Sequence, residues 1–295
     1  MSQKTTRKLT ECRRPLIWRR LKDWLSRLAS FVAIVIAISA MTWILWTVIQ
    51  HGFKAISWNF LSNPSKPYGI PDAGIANALL GSLLITGGAV MLAVPPALAA
   101  GIYVAEFGAS SRWARLLRFS ANVMMGIPSI IVGLFVYVAV VVPTGSFSGF
   151  AGSAALAIIM FPLVMRTTED MLSLVPAALR ESALALGMSR SRTILSIVCR
   201  ATRNGLVTGI LLALARVSGE TAPLLFTALY ADAWPKQYFT QASANLPVLI
   251  TEYSNNSPFA EMHRRGWGAA LVVMFLILLI NIGTRIVFRE KNYGK

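Results

Sequence analysis

The sequence predicts an all-α integral membrane protein in which six helices span the bilayer. Only 14% of its 295 residues are charged, whereas a soluble domain carries about 25%. Six stretches are apolar over a length that can cross a bilayer as a helix, which takes about 20 residues. The basic residues, which give a net charge of +16, border these stretches. We therefore expect a multi-pass protein of the cell (inner) membrane, with membrane lipid and not nucleic acid as the partner of its basic residues.

The six predicted spans differ in their proline and charge content. The first and the sixth are uncharged, the second contains Pro95 and Pro96, and the short fourth span contains Pro162. The fifth span carries two charges, Arg216 and Glu220. The spans cover residues 31–49, 73–105, 121–142, 149–165, 205–229 and 267–284.

The distribution of Lys and Arg predicts the orientation. With the N-terminus inside, the inner connections are residues 1–27, 106–120, 166–204 and 285–295, and they hold 22 of the 28 basic residues. The outer connections, residues 51–75, 143–148 and 230–266, hold 5. Because basic residues are retained on the cytoplasmic side of a membrane, both termini are predicted to be cytoplasmic.

The N-terminal segment 1–30 is predicted to precede a transmembrane domain of residues 31–295. Between residues 17 and 28 the apolar residues fall on one helical face and the basic residues mainly on the other, which is typical of a helix lying on a membrane surface. A basic flank of the first span with chance periodicity is the alternative. Cys12 and Cys199 are too far apart in the sequence to indicate a metal site or a disulfide framework. No metal, cofactor or catalytic residue is expected.

The longest inner connection has the pattern of a helical hairpin. Pro176 suits the first position of a helix, and helix-forming residues continue to Leu186. Gly187 suits a left-handed cap, and Ser189 suits the start of a second helix that continues to Arg200. We therefore expect two short helices at about residues 176–200, projecting into the cytosol. A hairpin of no special function is the alternative.

The residues of this hairpin resemble the EAA loop of ABC importer permeases. The resemblance rests on Glu181-Ser182-Ala183, followed by Gly187 and Ile197. Two departures are present: Ser182 replaces the usual middle alanine, and Cys199-Arg200 stands where many permeases have Leu-Pro. The resemblance implies that this loop is the coupling element, which seats in a cleft of a separate ATP-hydrolysing subunit.

Four further runs are similar to permease subunits of phosphate-specific ABC importers. They are residues 127–137, 166–172, 216–228 and 244–248. The resemblance extends from about residue 75 to the C-terminus. It implies the six-span fold of type I importers, a sister permease subunit, two ATP-binding subunits and an external phosphate-binding protein. The sequence contains no G-x-x-x-x-G-K-[ST] motif, so we expect ATP to be hydrolysed elsewhere and the chain not to be an enzyme.

Arg216 and Glu220 are the candidate residues of a substrate path. At 1.5 Å per helical residue, Arg216 lies roughly 16 Å deep in its span, where a charge is costly and usually faces a bundle interior or a water-filled path. Glu220 is four residues later and is expected on the same helical face. The pair either stabilises helix packing or serves an anion, because a guanidinium matches the geometry of an oxyanion. Arg166, at the inner end of the fourth span, is a third candidate, with Glu169 and Asp170 as possible partners.

The leading hypothesis is therefore a permease subunit that forms half of the path of an ATP-driven phosphate importer. One alternative is an importer for another oxyanion, such as molybdate or sulfate. An intramembrane enzyme is a further alternative, but it needs acid–base or metal-binding residues that converge at membrane depth. Within the predicted spans only Arg216 and Glu220 are charged.

Overall fold

The computed structural model describes residues 16–108, 111–232 and 234–287. These residues form helices, turns and loops and contain no β-strand. The chain divides into two compact units, Met1–Gln50 and His51–Lys295. Cys12, the first half of the predicted segment 1–30 and most of the last inner connection lie outside the described residues.

The described residues contain fourteen α-helices. Their bounds are α1 Leu16–Gly52, α2 Trp58–Ser62, α3 Ala76–Phe107, α4 Arg112–Gly126, α5 Ser129–Val136, α6 Val142–Thr144, α7 Gly149–Ser173, α8 Ala177–Ala185, α9 Arg190–Thr193, α10 Cys199–Ala201, α11 Arg203–Val217, α12 Ala222–Thr227, α13 Leu246–Thr251 and α14 Ala260–Val287. A 3₁₀-helix covers Phe53–Ala55, and single π-helical turns cover Tyr137–Val141, Ile194–Val198 and Glu252–Asn256.

The described part of the N-terminal unit is one long helix. The predicted amphipathic segment and the predicted first span are both parts of α1, which has 37 residues and no break. At 1.5 Å per residue such a helix is about 55 Å long, whereas the hydrocarbon core of a bilayer is about 30 Å thick. Large apolar side chains such as Phe31 and Trp43 are exposed along it. The surface position of the amphipathic part stays a prediction.

Among the described residues, four helices are long and apolar enough to cross a membrane, and the number rises to six if each of two bent helix pairs is one span. The third predicted span is one of these pairs. It consists of α4 and α5, which meet at an angle of 104°. Pro128 causes the bend, since it lacks a backbone N–H and keeps Ile127 extended. The prediction of one helix over residues 121–142 is therefore wrong at Ile127–Pro128, and α4 begins earlier than predicted, at Arg112.

The fifth predicted span is also interrupted. Helix α11 ends at Val217, and α12 begins only at Ala222. The prediction of one helix over residues 205–229 is therefore wrong at residues 218–221. Pro223 has no N–H to donate to the carbonyl of Gly219, and Gly219 itself weakens a helix. A second bend, of 71°, separates α10 from α11 on the side of the hairpin.

The centre of the second unit is the contact between α3 and α7. Helix α3 buries a row of mostly small residues spaced about one turn apart: Ala78, Gly81, Ile85, Ala89, Ala93, Ala97 and Gly101. Small residues let two helix backbones approach closely, which is how helices associate in membranes. At Gly101 a Cβ atom would lie 2.6 Å from the Cβ of Thr168 and 2.7 Å from the carbonyl oxygen of Met165. The packing of α3 on α7 therefore requires glycine at this position.

The predicted outer connection 230–266 is not a surface loop. Its helix α13 buries Leu246, Pro247, Val248 and Leu249. The Asn245 side chain caps this helix by accepting a hydrogen bond from the N–H of Val248 at 3.1 Å. An Asn followed by a Pro at the first turn is a helix-start signal that was visible in the sequence.

A polar network joins two segments at the end of the bundle opposite the hairpin. Asn77, at the start of α3, donates to the Ser65 hydroxyl at 2.8 Å and to the Asp232 carbonyl at 2.9 Å. The Ser65 and Tyr230 hydroxyls both donate to a carboxylate oxygen of Asp232. Burial and the contact with Asp232 raise the pKa of Tyr230, so its hydroxyl stays a donor at neutral pH. The network ties α3 to the chain that follows α12.

Two alanine substitutions in α3 test the packing against α7. We expect Gly101→Ala to lower the free energy of unfolding by about 1–3 kcal/mol, because its methyl group overpacks the contact. Gly87→Ala is the matched control. A Cβ atom at Gly87 meets nothing within 4 Å, so this change should stabilise the helix by about 0.5–1 kcal/mol. Thermal unfolding of the purified proteins measures both; equal shifts would contradict the packing described.

Candidate functional site

A cavity of about 220 Å³ lies where the two interrupted spans meet. It is lined by residues of α4, α5, α7 and the chain around the end of α11: Met124, Met125, Ile127, Pro128, Ser129, Val132, Ile158, Ile159, Leu163, Arg216 and Glu220. The break at Ile127–Pro128 supplies one wall, and the break after Val217 supplies another. The apolar side chains of α7 form a third wall.

One close backbone contact holds the two breaks together. A Cβ atom added at Gly133 of α5 would lie 2.6 Å from the Cα of Pro223 in α12. Only a glycine leaves room for this approach. Each break exposes backbone polar groups that a continuous helix would satisfy, which is tolerated at membrane depth where the chain lines a cavity. The two proline-dependent breaks therefore build one chamber, whose mostly apolar lining includes Ser129, Arg216 and Glu220.

Arg216 and Glu220 both line the cavity, but they do not pair. Arg216 is in the last turn of α11 and Glu220 lies in the break beyond it, so the expectation of one shared helical face is wrong. Among the described residues no ion pair within 4.0 Å joins the Arg216 guanidinium to the Glu220 carboxylate. Arg216 is exposed and Glu220 is half-buried. A cation in the last turn of a helix is favoured by the helix dipole, and the Arg216 guanidinium contacts no carboxylate of the described residues.

Arg166 lies outside the cavity lining, one helical turn beyond Leu163 on α7. Its predicted partners are confirmed: it contacts Glu169 at 3.2 Å and Asp170 at 3.4 Å. Glu169 also accepts a hydrogen bond at 2.6 Å from Nε of Arg118 in α4. This ion cluster joins α4 to α7. The structure therefore brings Arg216 and Glu220 together and leaves Arg166 in a separate cluster.

The hairpin has the turn that the sequence predicts. Helix α8 ends in a left-handed residue, Gly187, with a φ of +82°. The N–H of Met188 donates to the carbonyl of Ala183 at 3.2 Å, and the N–H of Gly187 donates to that of Leu184 at 2.9 Å. These two bonds form a Schellman motif, which satisfies the free carbonyls at a helix end.

The rest of the hairpin differs in detail from the expectation. Ser189 precedes α9 but its side chain makes no capping bond, and the predicted second helix is divided into α9, a π-helical turn and α10. Glu181 and Ser182 are exposed, Ala183 is buried and Ile197 is half-buried. Leu186, next to the turn, is 84% exposed.

Most of the cavity residues were missed as site residues from the sequence. Ile127, Pro128 and Ser129 contributed only to the family resemblance. A proline alone does not signal a break, since Pro95, Pro96 and Pro162 lie inside the continuous helices α3 and α7. Met124 and Ile158 carry no chemical signal, since they are ordinary apolar residues of a span. Their role depends on the bend that brings α4 and α7 to the same cavity.

Comparison with known proteins places this architecture in a family. The profile of the family described as "Binding-protein-dependent transport system inner membrane component" matches residues 97–291. The chain belongs to this family. It is 42% identical to "Phosphate transport system permease protein PstA" of Haemophilus influenzae, over 93% of this chain and 96% of that protein. The protein of the same name from Yersinia pestis is 41% identical, over 95% of each chain.

The same fold occurs in a solved transporter. The methionine ABC transporter MetNI in an inward-facing conformation aligns with a TM-score of 0.61 at 16% identity, over 72% of this chain and 94% of that chain. This likeness confirms the predicted all-α fold of an ABC importer permease. Family membership confirms the predicted multi-pass inner-membrane location, and the two relatives confirm the predicted similarity to phosphate-importer permeases. The orientation of the termini stays a prediction.

A cysteine placed in the cavity tests whether water reaches it. In a background with Cys12 and Cys199 replaced by serine, we expect Ser129→Cys to react with a small charged thiol reagent. Ser153→Cys is the control, because Ser153 is fully buried on α7 and should stay unreactive in the folded protein. The measurement is the rate of labelling in membranes. Equally slow labelling of both cysteines would mean that the cavity is closed to water and ions.

Proposed function

We propose that the chain is the permease subunit of an ATP-driven phosphate importer and forms half of the translocation path. The observation that carries the proposal is an arginine without a carboxylate partner in a chamber built by two broken spans. The names of the relatives supply the substrate. An intramembrane arginine is costly, so a site that leaves its guanidinium available indicates an anionic cargo.

The chemistry of the cavity suits a phosphate ion that binds there and is then released. The guanidinium of Arg216 presents paired N–H donors that match two oxygens of a tetrahedral anion. Glu220 lines the same cavity and has two roles in the proposal. Its negative charge weakens anion binding enough for release, and its oxygens accept a hydrogen bond from a protonated phosphate. Sulfate is fully ionised at neutral pH and offers no such proton, which favours phosphate over sulfate.

The remaining parts of an importer come from other chains. We propose a sister permease subunit, two ATP-binding subunits and an external phosphate-binding protein, with both termini of this chain in the cytoplasm. ATP hydrolysis is assigned to the ATP-binding subunits, because this sequence lacks the phosphate-binding loop that hydrolysis requires. The surplus of Lys and Arg in the hairpin connection supports its cytoplasmic placement.

The hairpin is the proposed contact with an ATP-binding subunit. Glu181 and Ser182 on the exposed face of α8 would contact that subunit, together with Leu186 beside the turn. Ala183 packs inward, and the left-handed turn at Gly187 sets the angle of the following chain. Ile197 belongs to the base of the hairpin.

Arg166 is proposed to line the inner mouth of the path, one turn of α7 beyond the cavity. Nearly half of its side chain is exposed, although it contacts two carboxylates. An anion leaving the cavity toward the hairpin side passes this position before it reaches the cytosol.

Removal of the cavity charges distinguishes a transport role from a packing role. We expect Arg216→Gln to abolish labelled-phosphate uptake in cells while the protein still inserts, since the cavity loses its only arginine. The double variant Arg216→Gln/Glu220→Gln should stay inactive. A packing role predicts the opposite, because neutralising both charges would restore function.

The matched control is Arg203→Gln, which removes an exposed arginine at the start of the same helix. It should retain uptake. Excess sulfate or molybdate added during the assay should leave phosphate uptake unchanged. Wild-type uptake by the double variant would overturn the path role, and strong competition by another oxyanion would overturn the assignment of phosphate.

A substitution at the hairpin turn tests the coupling role. Gly187→Val forces a β-branched residue into a left-handed conformation at a cost of roughly 1–2 kcal/mol, so the turn should change and uptake should fall. Gly145 has a φ of +65° and open space around it, as Gly187 has. Gly145→Val therefore imposes the same strain outside the hairpin and should retain most uptake. Phosphate uptake is measured together with the amount of ATP-binding subunit that co-purifies with the chain. Normal values of both for Gly187→Val would contradict the coupling role.

A further inference from the structure

The hairpin is attached to the end of α3 by an arginine that makes five hydrogen bonds. Arg180 of α8 donates from Nε and Nη2 to Oε1 of Glu106 at 3.1 and 2.8 Å, and from Nε to Oε2 at 3.3 Å. It also donates to the backbone carbonyls of Val175 and Leu172 at 2.5 and 2.8 Å. One guanidinium thus joins α3, the end of α7 and the start of the hairpin.

The burial of the charged Glu106 carboxylate depends on its contact with Arg180. Its side chain is only 7% exposed, and it lies in the last turn of α3, where the helix dipole disfavours a negative charge. A carboxylate that is nearly buried is retained only when a partner compensates the loss of water. Among the ion pairs of the described residues, Arg180 is that partner.

The second part of the hairpin contacts the same end of α3. Arg190 of α9 donates from Nη2 to the backbone carbonyl of Glu106 at 2.7 Å. Its guanidinium also lies 4.5 Å from the centre of the Phe107 ring, a cation–π contact. Beneath these polar contacts, Val198 of the hairpin base and Leu172 of α7 form an apolar cluster against which Ile102 of α3 packs. Both parts of the hairpin therefore hold the last two residues of α3.

Helix α3 continues from this attachment to the opposite end of the bundle. Its 32 residues correspond to about 48 Å. Along this length it packs on α7, whose Ile158, Ile159 and Leu163 line the cavity. At its other end Asn77 belongs to the polar network with Ser65 and Asp232. A displacement of the hairpin that moves the end of α3 is thus delivered to a helix packed against the cavity wall.

We propose that Arg180 is a positioning residue that transmits the movement of the hairpin to α3 through Glu106. The inference rests on the proposed function, because it assumes that the hairpin is moved by an ATP-binding subunit. Arg180 is not placed in the contact with that subunit or in the anion path. Its removal should therefore separate ATP hydrolysis from transport instead of lowering both in proportion.

The experiment replaces the ion pair by a removable covalent link in the assembled importer, reconstituted in proteoliposomes. The variant Arg180→Cys/Glu106→Cys is made with Cys12 and Cys199 changed to serine, and a reducible bis-thiol cross-linker joins the two positions. Phosphate uptake and ATP hydrolysis are measured on the same sample. We expect the unlinked variant to lose phosphate uptake per ATP by about tenfold, within the range typical of coupling between two sites. Cross-linking should restore the wild-type uptake per ATP, and reduction of the cross-linker should lower this ratio again.

Two further variants test whether the loss of uptake per ATP is specific to the contact between Arg180 and Glu106. Arg180→Lys keeps the charge but not the two-pronged contact, so its uptake per ATP should lie between wild type and the unlinked variant. Arg203→Gln, which removes an exposed arginine outside the hairpin, should keep the wild-type ratio.

Each outcome is decisive. An unlinked variant, or Arg180→Lys, with the wild-type ratio would reduce Arg180 to a static brace and overturn the proposal. Failure of the cross-link to restore the ratio would overturn it as well. A wild-type complex that hydrolyses ATP without taking up phosphate would instead overturn the proposed function, so the two failures are distinguishable.

Discussion

The close approach of Gly133 to Pro223 is the contact on which the arrangement of the candidate site depends. Two helices that are each interrupted near a proline would expose unsatisfied backbone groups if they lay apart in a membrane. Here the two breaks meet, because Gly133 has no side chain to separate α5 from α12. Their meeting forms the cavity and places Arg216 and Glu220 in its wall. The break after Val217 also separates the two charges, which a continuous helix would have paired.

The cavity and the hairpin are joined by α7 and α3. Helix α7 contributes one cavity wall and packs along α3, and Arg180 holds Glu106 in the last turn of α3. The mostly small residues along α3 make this contact close, and closely packed helices move as discrete bodies. Both parts of the hairpin attach to the same end of α3. Helices α3 and α7 therefore connect the hairpin rigidly to the cavity. The proposed coupling of transport to ATP hydrolysis depends on this short set of contacts.

The sequence predicted the location of the spans better than their continuity. Apolar length and flanking charge are local properties, so the segments around α3, α7 and α14 were found within a few residues at most ends. The turn at Gly187 was also predicted, because a glycine after a run of helix formers has a local physical reason. The break after Val217 was missed although Gly219 and Pro223 were visible, since the apolar pattern continues through them.

Long-range contacts carried no sequence signal. Glu106 and Arg180 are 74 residues apart, and each has the appearance of an ordinary charge flanking a span. Their pairing follows from the bend of the chain after α7. The periodicity of apolar residues in the sequence does not predict this bend. The cavity residues Met124 and Ile158 were unpredictable for the same reason. What the sequence did supply was the chemistry: an arginine and a glutamate at membrane depth, which the structure then places in one cavity.

The most direct test of this account is an electron cryomicroscopy map of the assembled importer held with phosphate during turnover. The account predicts tetrahedral anion density within hydrogen-bond distance of the Arg216 guanidinium, between the break at Pro128 and the break after Val217. Anion density elsewhere in the spans, with Arg216 paired to Glu220 or covered by another subunit, would contradict it.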